Sequence, residues 1–162
     1  PLILGGGQQK DMRSGTENVP GCYGLGVAAK EIYTDHAARI DRLYALRERL
    51  IAGLHQLEGV TVNGYEDRRN APQLVSASFA GVRAEVLLHA LEEHEIYVSS
   101  GSACSSNHPG ISGTLAAIGV KKDLLDSTIR FSFGAFTTEE QIDWTLEKLG
   151  ELLPVLRRFT RH

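Results

Sequence analysis

Two short segments alternate apolar and polar residues with period two, LVSASF (74–79) and STIRFSF (127–133), between stretches whose apolar residues recur every three or four positions. In an extended chain that alternation puts Val75, Ala77 and Phe79 on one face and Ser76 and Ser78 on the other. It likewise separates Ile129, Phe131 and Phe133 from Thr128, Arg130 and Ser132. Strands of this kind need an apolar cover on one side only. VTV (60–62), closed by Asn63-Gly64, and IYV (96–98) read as two further short strands. The expectation is an α/β fold of the α+β sandwich type, a small sheet of short strands covered by helices on one side.

The helical segments follow from spacing and caps. From about Val27 to Leu57, Ile40, Leu43, Leu46, Leu50, Leu54 and Leu57 form one stripe, with Arg39, Arg42, Glu48 and Arg49 off it and Asp35 four residues ahead of Arg39. A helix or broken helix of this length spans roughly 45 Å at 1.5 Å per residue, enough to link two lobes. Ahead of it, PLILGGGQQKDMRSGTENVPG reads as a loop feeding a helix start capped by Thr16 or Asn18, with Pro20 tolerated in the first turn. Arg83–Glu93 is expected to be a helix with Val86, Leu87, Ala90 and Leu91 inward. SGTLAAIG is expected to be a short helix stopped by Gly119. Thr137 and Glu140 fit a capping box ahead of Ile142, Leu146, Leu149, Leu153 and Leu156, and Pro154 should kink or shorten that last helix.

Charge and composition narrow the function classes. A net charge of −3, without a basic run longer than two residues, gives no reason to expect nucleic acid as a partner. No apolar stretch is long enough to cross a bilayer. The chain opens at Pro1 and its one methionine is Met12, so its natural beginning, with any targeting signal, is expected to lie upstream. Cys22 and Cys104 have no metal-ligand spacing around them, which argues against zinc, and so few cysteines suit a reduced, intracellular protein without a disulfide. Cys22 is expected to pack.

Three places can carry chemistry. Cys104 stands in SSGSACSSNHPG (99–110), a run with too little apolar surface to order itself, so a mobile surface loop with an accessible thiol is expected; His108, four residues on, makes no dyad by spacing alone. Arg130, on the polar face of an apolar strand, can hold a carboxylate through two parallel hydrogen bonds. GGGQQKDMRSGTEN is neither a Walker loop nor GxGxxG, yet Arg13, the Thr16 hydroxyl and the backbone amides at a helix start can meet a phosphate. From the residues alone, an incidental surface thiol, a solvated or ion-paired strand arginine and a plain helix cap remain open.

The combination is more specific than its members. GGGQ, then RSGTENVPG, VSSGSACSS, STIRFSFG and TTEEQID, in that order, resembles the pyridoxal-phosphate-dependent cysteine desulfurases of the NifS/IscS type, from residue 5 to the last helix. The serines after Cys104 and the ending LPVLRRFTR look most like Gram-positive bacterial members. The resemblance implies a homodimeric fold-type-I enzyme that takes sulfur from L-cysteine, releases L-alanine and leaves a persulfide on its own cysteine. It implies that Cys104 attacks the substrate sulfur and that Arg130 clamps the substrate carboxylate. Thr16, with Arg13 beside it, would serve the phosphate of pyridoxal 5'-phosphate, Thr16 across the dimer. It further implies a cytoplasmic parent that passes sulfur to an acceptor such as an iron–sulfur scaffold or a tRNA-thiolation enzyme, with no direct contact to nucleic acid or membrane.

The family's cofactor-binding lysine sits in a Ser-x-His-Lys setting upstream of GGGQ. None of the six histidines here precedes a lysine, and Lys10, Lys30, Lys121, Lys122 and Lys148 all fall outside that setting. The chain therefore resembles the C-terminal part of such an enzyme: residues 1–36 a remnant of the large cofactor domain with the start of the linking helix, residues 37–162 the small domain with the cysteine loop. Alone it is expected not to hold the cofactor covalently. A selenocysteine lyase or cysteine-sulfinate desulfinase, and a non-enzymatic sulfur-carrying docking module, are the alternatives.

Overall fold

The computed structural model describes residues 1–100 and 112–159. The chain divides into two compact units, Pro1–Ala38 and Arg39–His162. The first holds a loop and α1 (Val19–Tyr33). Asn18 caps α1, its Oδ1 accepting from Gly21 N at 3.1 Å, and Pro20 occupies the first turn, where its missing N–H is not needed. No residue of α1 is buried. Cys22, expected to pack, is an exposed free thiol on this helix. The stripe read from Val27 onward is broken: α1 ends at Tyr33, Asp35 takes a left-handed φ of 54°, and α2 (His36–Leu54) starts anew. Asp35 sits in that break, and among the ion pairs of the described residues there is none between it and Arg39.

In the second unit α2 continues, followed by β1 (Val60–Asn63), β2 (Leu74–Phe79), α3 (Ala84–Glu92), β3 (Ser99–Ser100), α4 (Gly113–Ala117), a 3-10 turn (Lys122–Ser127), β4 (Thr128–Ser132) and α5 (Glu139–Arg157). The four strands form one antiparallel sheet in the order β1-β2-β4-β3. Val75, Ala77, Phe79, Ile129 and Phe131 meet Leu46, Leu50 and Leu54 of α2, Leu87 and Leu91 of α3, and Ile142, Leu149 and Leu153 of α5 in one core. Burying each such leucine is worth about 1.5–3 kcal/mol. α2 and α5 approach so closely that a Cβ at Gly53 would stand 2.2 Å from Leu146 Cδ1. Gly119, at φ 81°, ends α4, and Ser112 caps it.

Several expectations shift. IYV (96–98) is not a strand: the pairing with β4 begins at Ser99, and Tyr97 is 77% exposed. Val86 points outward at 46% exposure, the buried positions of α3 being Ala84, Leu87 and Leu91. α5 is capped by Thr138 with Gln141, one residue later than the Thr137–Glu140 box. It runs through Pro154 to Arg157 without being shortened. No helix among the described residues is long and apolar enough to cross a membrane.

Candidate functional site

The polar face of the sheet gathers the side chains that the apolar core rejects. Ser76 lies opposite Arg130 in the β2–β4 register, and Ser99 lies opposite Arg130 in the β3–β4 register. Directly paired residues share a face, so Arg130 stands between two serines. Its side chain is exposed, and among the described residues it makes no hydrogen bond or ion pair. An accessible guanidinium with unspent donors is suited to a carboxylate that arrives from outside.

One end of this face is covered. Ser78 and Thr128 are 0% and 4% exposed beneath the 3-10 turn. The Oγ atoms of these two residues are 2.7 Å apart, and Thr128 Oγ1 donates to Leu124 O at 2.8 Å. Asn63 Nδ2 donates to Ser78 Oγ at 2.9 Å and to Ser76 Oγ at 3.2 Å. This network was not visible in the sequence, where Asn63 reads as a turn residue; its signal was the serine and threonine alternation itself.

Cys104 and His108 lie outside the described residues, as does most of the loop expected to carry them. Ser99 and Ser100, which lead into it, are half-buried in β3.

GGGQ and RSGT, separate in sequence, fold onto each other. Leu2 N donates to Met12 O at 2.6 Å, Ser14 N to Ile3 O at 3.2 Å and Ser14 Oγ to Gly6 O at 2.7 Å. Gly15 N donates to Gln8 Oε1 at 3.2 Å. Arg13 Nη1 donates to the carbonyls of Gly15 and Thr16 at 3.0 and 3.2 Å, so part of this guanidinium braces the loop. Gln9 Nε2 donates to Glu17 Oε1 at 3.0 Å, which chiefly holds the Glu17 carboxyl below its ordinary range. The Thr16 hydroxyl is exposed and has no partner among the described residues. An unpaired hydroxyl beside a partly spent guanidinium is a donor set that suits a phosphate. Among the described residues no group of His, Cys, Asp and Glu could hold a metal ion.

Arg47 was missed by the sequence reading. It is 1% exposed, with Nη1 donating to Glu66 O at 2.5 Å and Nη2 to Tyr65 O at 2.6 Å, and it pins the loop between β1 and β2. A separate groove of about 240 Å³, lined by Ile96, Tyr97, Phe131, Phe133 and Trp144 among others, includes neither Arg130, Ser76 nor Ser99.

The family model for "Aminotransferase class-V" matches residues 6–144. "Cysteine desulfurase IscS" of Anaeromyxobacter dehalogenans is 44% identical over 96% of this chain and 38% of the relative. "Cysteine desulfurase, mitochondrial" of Eremothecium gossypii is 41% identical over 99% of this chain and 32% of the relative. Among solved structures, a "NIFS-LIKE PROTEIN" superposes with a TM-score of 0.78 at 32% identity, over 96% of this chain and 39% of that one. A NifS-like protein from Rickettsia africae does so with a TM-score of 0.77 at 27% identity, over 95% of this chain and 40% of that one. The chain thus spans 38% of the length of the Anaeromyxobacter relative.

Proposed function

The chain belongs to the class-V aminotransferase family, and we propose that it is the C-terminal segment of a cysteine desulfurase that moves sulfur from L-cysteine onto Cys104. The observation that carries this reading is Arg130, an exposed guanidinium without a partner among the described residues, opposite Ser99. Cys104 follows Ser99 by five residues. Covalent geometry alone therefore keeps their Cα atoms within about 18 Å. A substrate whose carboxylate is held at Arg130 presents its own sulfur inside that range.

In this reading Arg130 binds and orients the carboxylate of L-cysteine. The Cys104 thiolate attacks the substrate sulfur; an S–S bond forms, the Cβ–S bond breaks, and its electron pair stays with the carbon skeleton, which takes up a proton and leaves as L-alanine. Thr16, with Arg13 beside it, would hold the phosphate of pyridoxal 5'-phosphate, and the cofactor, when bound, supplies the electron withdrawal that makes the Cβ–S bond cleavable. The covalent attachment of that cofactor, and the second half of the phosphate site, belong to polypeptide outside this chain and to a dimer partner.

Residues 1–36 are read as the remnant of the large domain and 37–162 as the small domain. Support comes from α1, where Tyr23, Leu25 and Tyr33 are each more than 70% exposed, a surface suited to packing on further polypeptide. The parent is proposed as a cytoplasmic homodimer that hands its persulfide sulfur to an acceptor protein of iron–sulfur or tRNA-thiolation chemistry. The test uses the full-length parent with L-cysteine as substrate. Cys104→Ser abolishes persulfide and alanine formation while the visible absorbance of the bound cofactor is retained. Alanine formation at the wild-type rate would refute the assigned nucleophile.

A further inference from the structure

The hydroxyl chain beside Arg130 has a direction. Thr128 Oγ1 donates its single proton to Leu124 O, so in its 2.7 Å contact with Ser78 it accepts and Ser78 donates, the other acceptor within reach of Ser78, Asn63 Oδ1, being farther at 3.4 Å. With the Ser78 proton spent, the 2.9 Å contact between Ser78 Oγ and Asn63 Nδ2 has the amide as donor. The other proton of the same amide goes to Ser76 Oγ at 3.2 Å. Ser76 is therefore an acceptor toward Asn63. Its own O–H proton has no partner among the described residues.

Ser76 is half-buried and directly opposite Arg130, a pairing that sets Cβ atoms about 4.5–5.5 Å apart on one face. One cross-strand pair thus offers a guanidinium and a hydroxyl proton side by side, both donors and both unspent. We infer that the Ser76 hydroxyl is a second ligand for the substrate carboxylate held by Arg130, and that Asn63 keeps it turned as a donor. A carboxylate has about four lone-pair positions, and a bidentate arginine leaves two of them unfilled. A hydroxyl donating to a charged oxygen makes a short, charge-assisted bond. Ser76 thereby adds to recognition of the carboxylate and contributes nothing to a ligand that lacks one. This rests on the proposed role of Arg130 as the site of the L-cysteine carboxylate.

The experiment is calorimetric titration of the full-length parent with L-alanine and with L-alaninamide, which keeps the amine and methyl groups and replaces the carboxylate by a neutral amide. Ser76→Ala is expected to weaken L-alanine binding roughly tenfold, the loss of one hydrogen bond to a charged group, and to change L-alaninamide binding by less than about twofold. Ser76→Thr, which keeps the hydroxyl, is expected to restore L-alanine binding to within about threefold. In an Arg130→Gln background, Ser76→Ala is expected to add no further loss, because the carboxylate is no longer held there. Unchanged L-alanine binding in Ser76→Ala, or equal weakening of both ligands, overturns the inference while leaving the proposed function standing so long as Arg130→Gln weakens L-alanine. If Arg130→Gln leaves L-alanine binding intact, the carboxylate site of the desulfurase reading falls, and the role of Ser76 falls with it.

Discussion

Ser99 and Arg130 face each other across the β3–β4 ladder, so the residue that opens β3 shares a surface of the sheet with a strand guanidinium that has no partner among the described residues. β3 is an edge strand of two residues, and its position is fixed by β4 rather than by apolar content of its own. In the proposed function, a substrate carboxylate at Arg130 and the chain leading to Cys104 would both start from this β3–β4 pairing, as a site that must hold two reacting groups in register requires.

If Arg130 binds the substrate carboxylate, Arg130→Ala in the full-length parent mainly raises KM for L-cysteine and lowers kcat/KM by roughly 10–100-fold, the loss of charge-assisted bonds. Arg130→Lys recovers part of that loss, since an ammonium cannot reproduce two parallel hydrogen bonds. Steady-state kinetics with L-cysteine checks it. A wild-type KM in Arg130→Ala would count against the assignment.

Arg47 gives a prediction about stability. Its guanidinium is buried, and among the described residues its Nη atoms donate to the backbone carbonyls of Tyr65, Glu66 and Asp67 and to no carboxylate, while its Nε has no partner. Arg47→Met keeps the apolar stem and leaves those carbonyls without donors, so it is expected to destabilise by about 2–4 kcal/mol in urea titration. Amide exchange in the loop from Tyr65 to Asn70 should accelerate more than exchange in β2. A uniform acceleration across both would show that Arg47 supports the core generally and does not pin this loop.

The sheet was legible because its two long strands have one apolar face each: β2 matches the alternating run to the residue. What escaped depended on contacts distant in sequence. Arg47 sits on the apolar stripe of α2, between Leu46 and Leu50, and nothing local says that carbonyls some twenty residues later will receive it. The α5 cap was degenerate, since Thr137 with Glu140 and Thr138 with Gln141 both fit the pattern. The structure resolves the choice by diverting Thr137, whose Oγ1 accepts from Gly134 N at 2.9 Å and whose carbonyl accepts from Arg42. The β3 placement failed because Ile96 and Val98 look like strand residues yet pack against the core from a loop that follows Glu95, at φ 60°. Arg130 was legible as a residue type in a pattern, whereas its two serine neighbours needed the register and its lack of a partner among the described residues needed the structure. Asn63 shows the same limit from the other side, because a turn residue in sequence becomes the donor for two hydroxyls only once β1 and β2 pair.

The ion pair that joins α2 to α5 sets a pH dependence. Arg49 donates through Nε and Nη2 to the two Asp143 oxygens, each at 2.7 Å, and through Nη1 to Glu139 at 3.1 Å. The hydrogen bond from Arg49 is the main cause holding the Asp143 carboxyl below its usual range, with the charge of Arg49 adding to it and burial opposing. A group with a depressed folded-state value contributes stability that is present above the unfolded aspartate value of about 3.9 and is lost as pH falls through the lower folded value. Both side chains are about half exposed, so the effect is small and screened by salt. The melting temperature of the wild type should therefore exceed that of Asp143→Asn at pH 6 in low salt, and the gap should close as pH falls below about 3.9. It should also narrow at about 1 M salt. A gap of constant size from neutral to acid pH would mean that shape or packing at position 143, rather than the charge on Asp143, links the two helices.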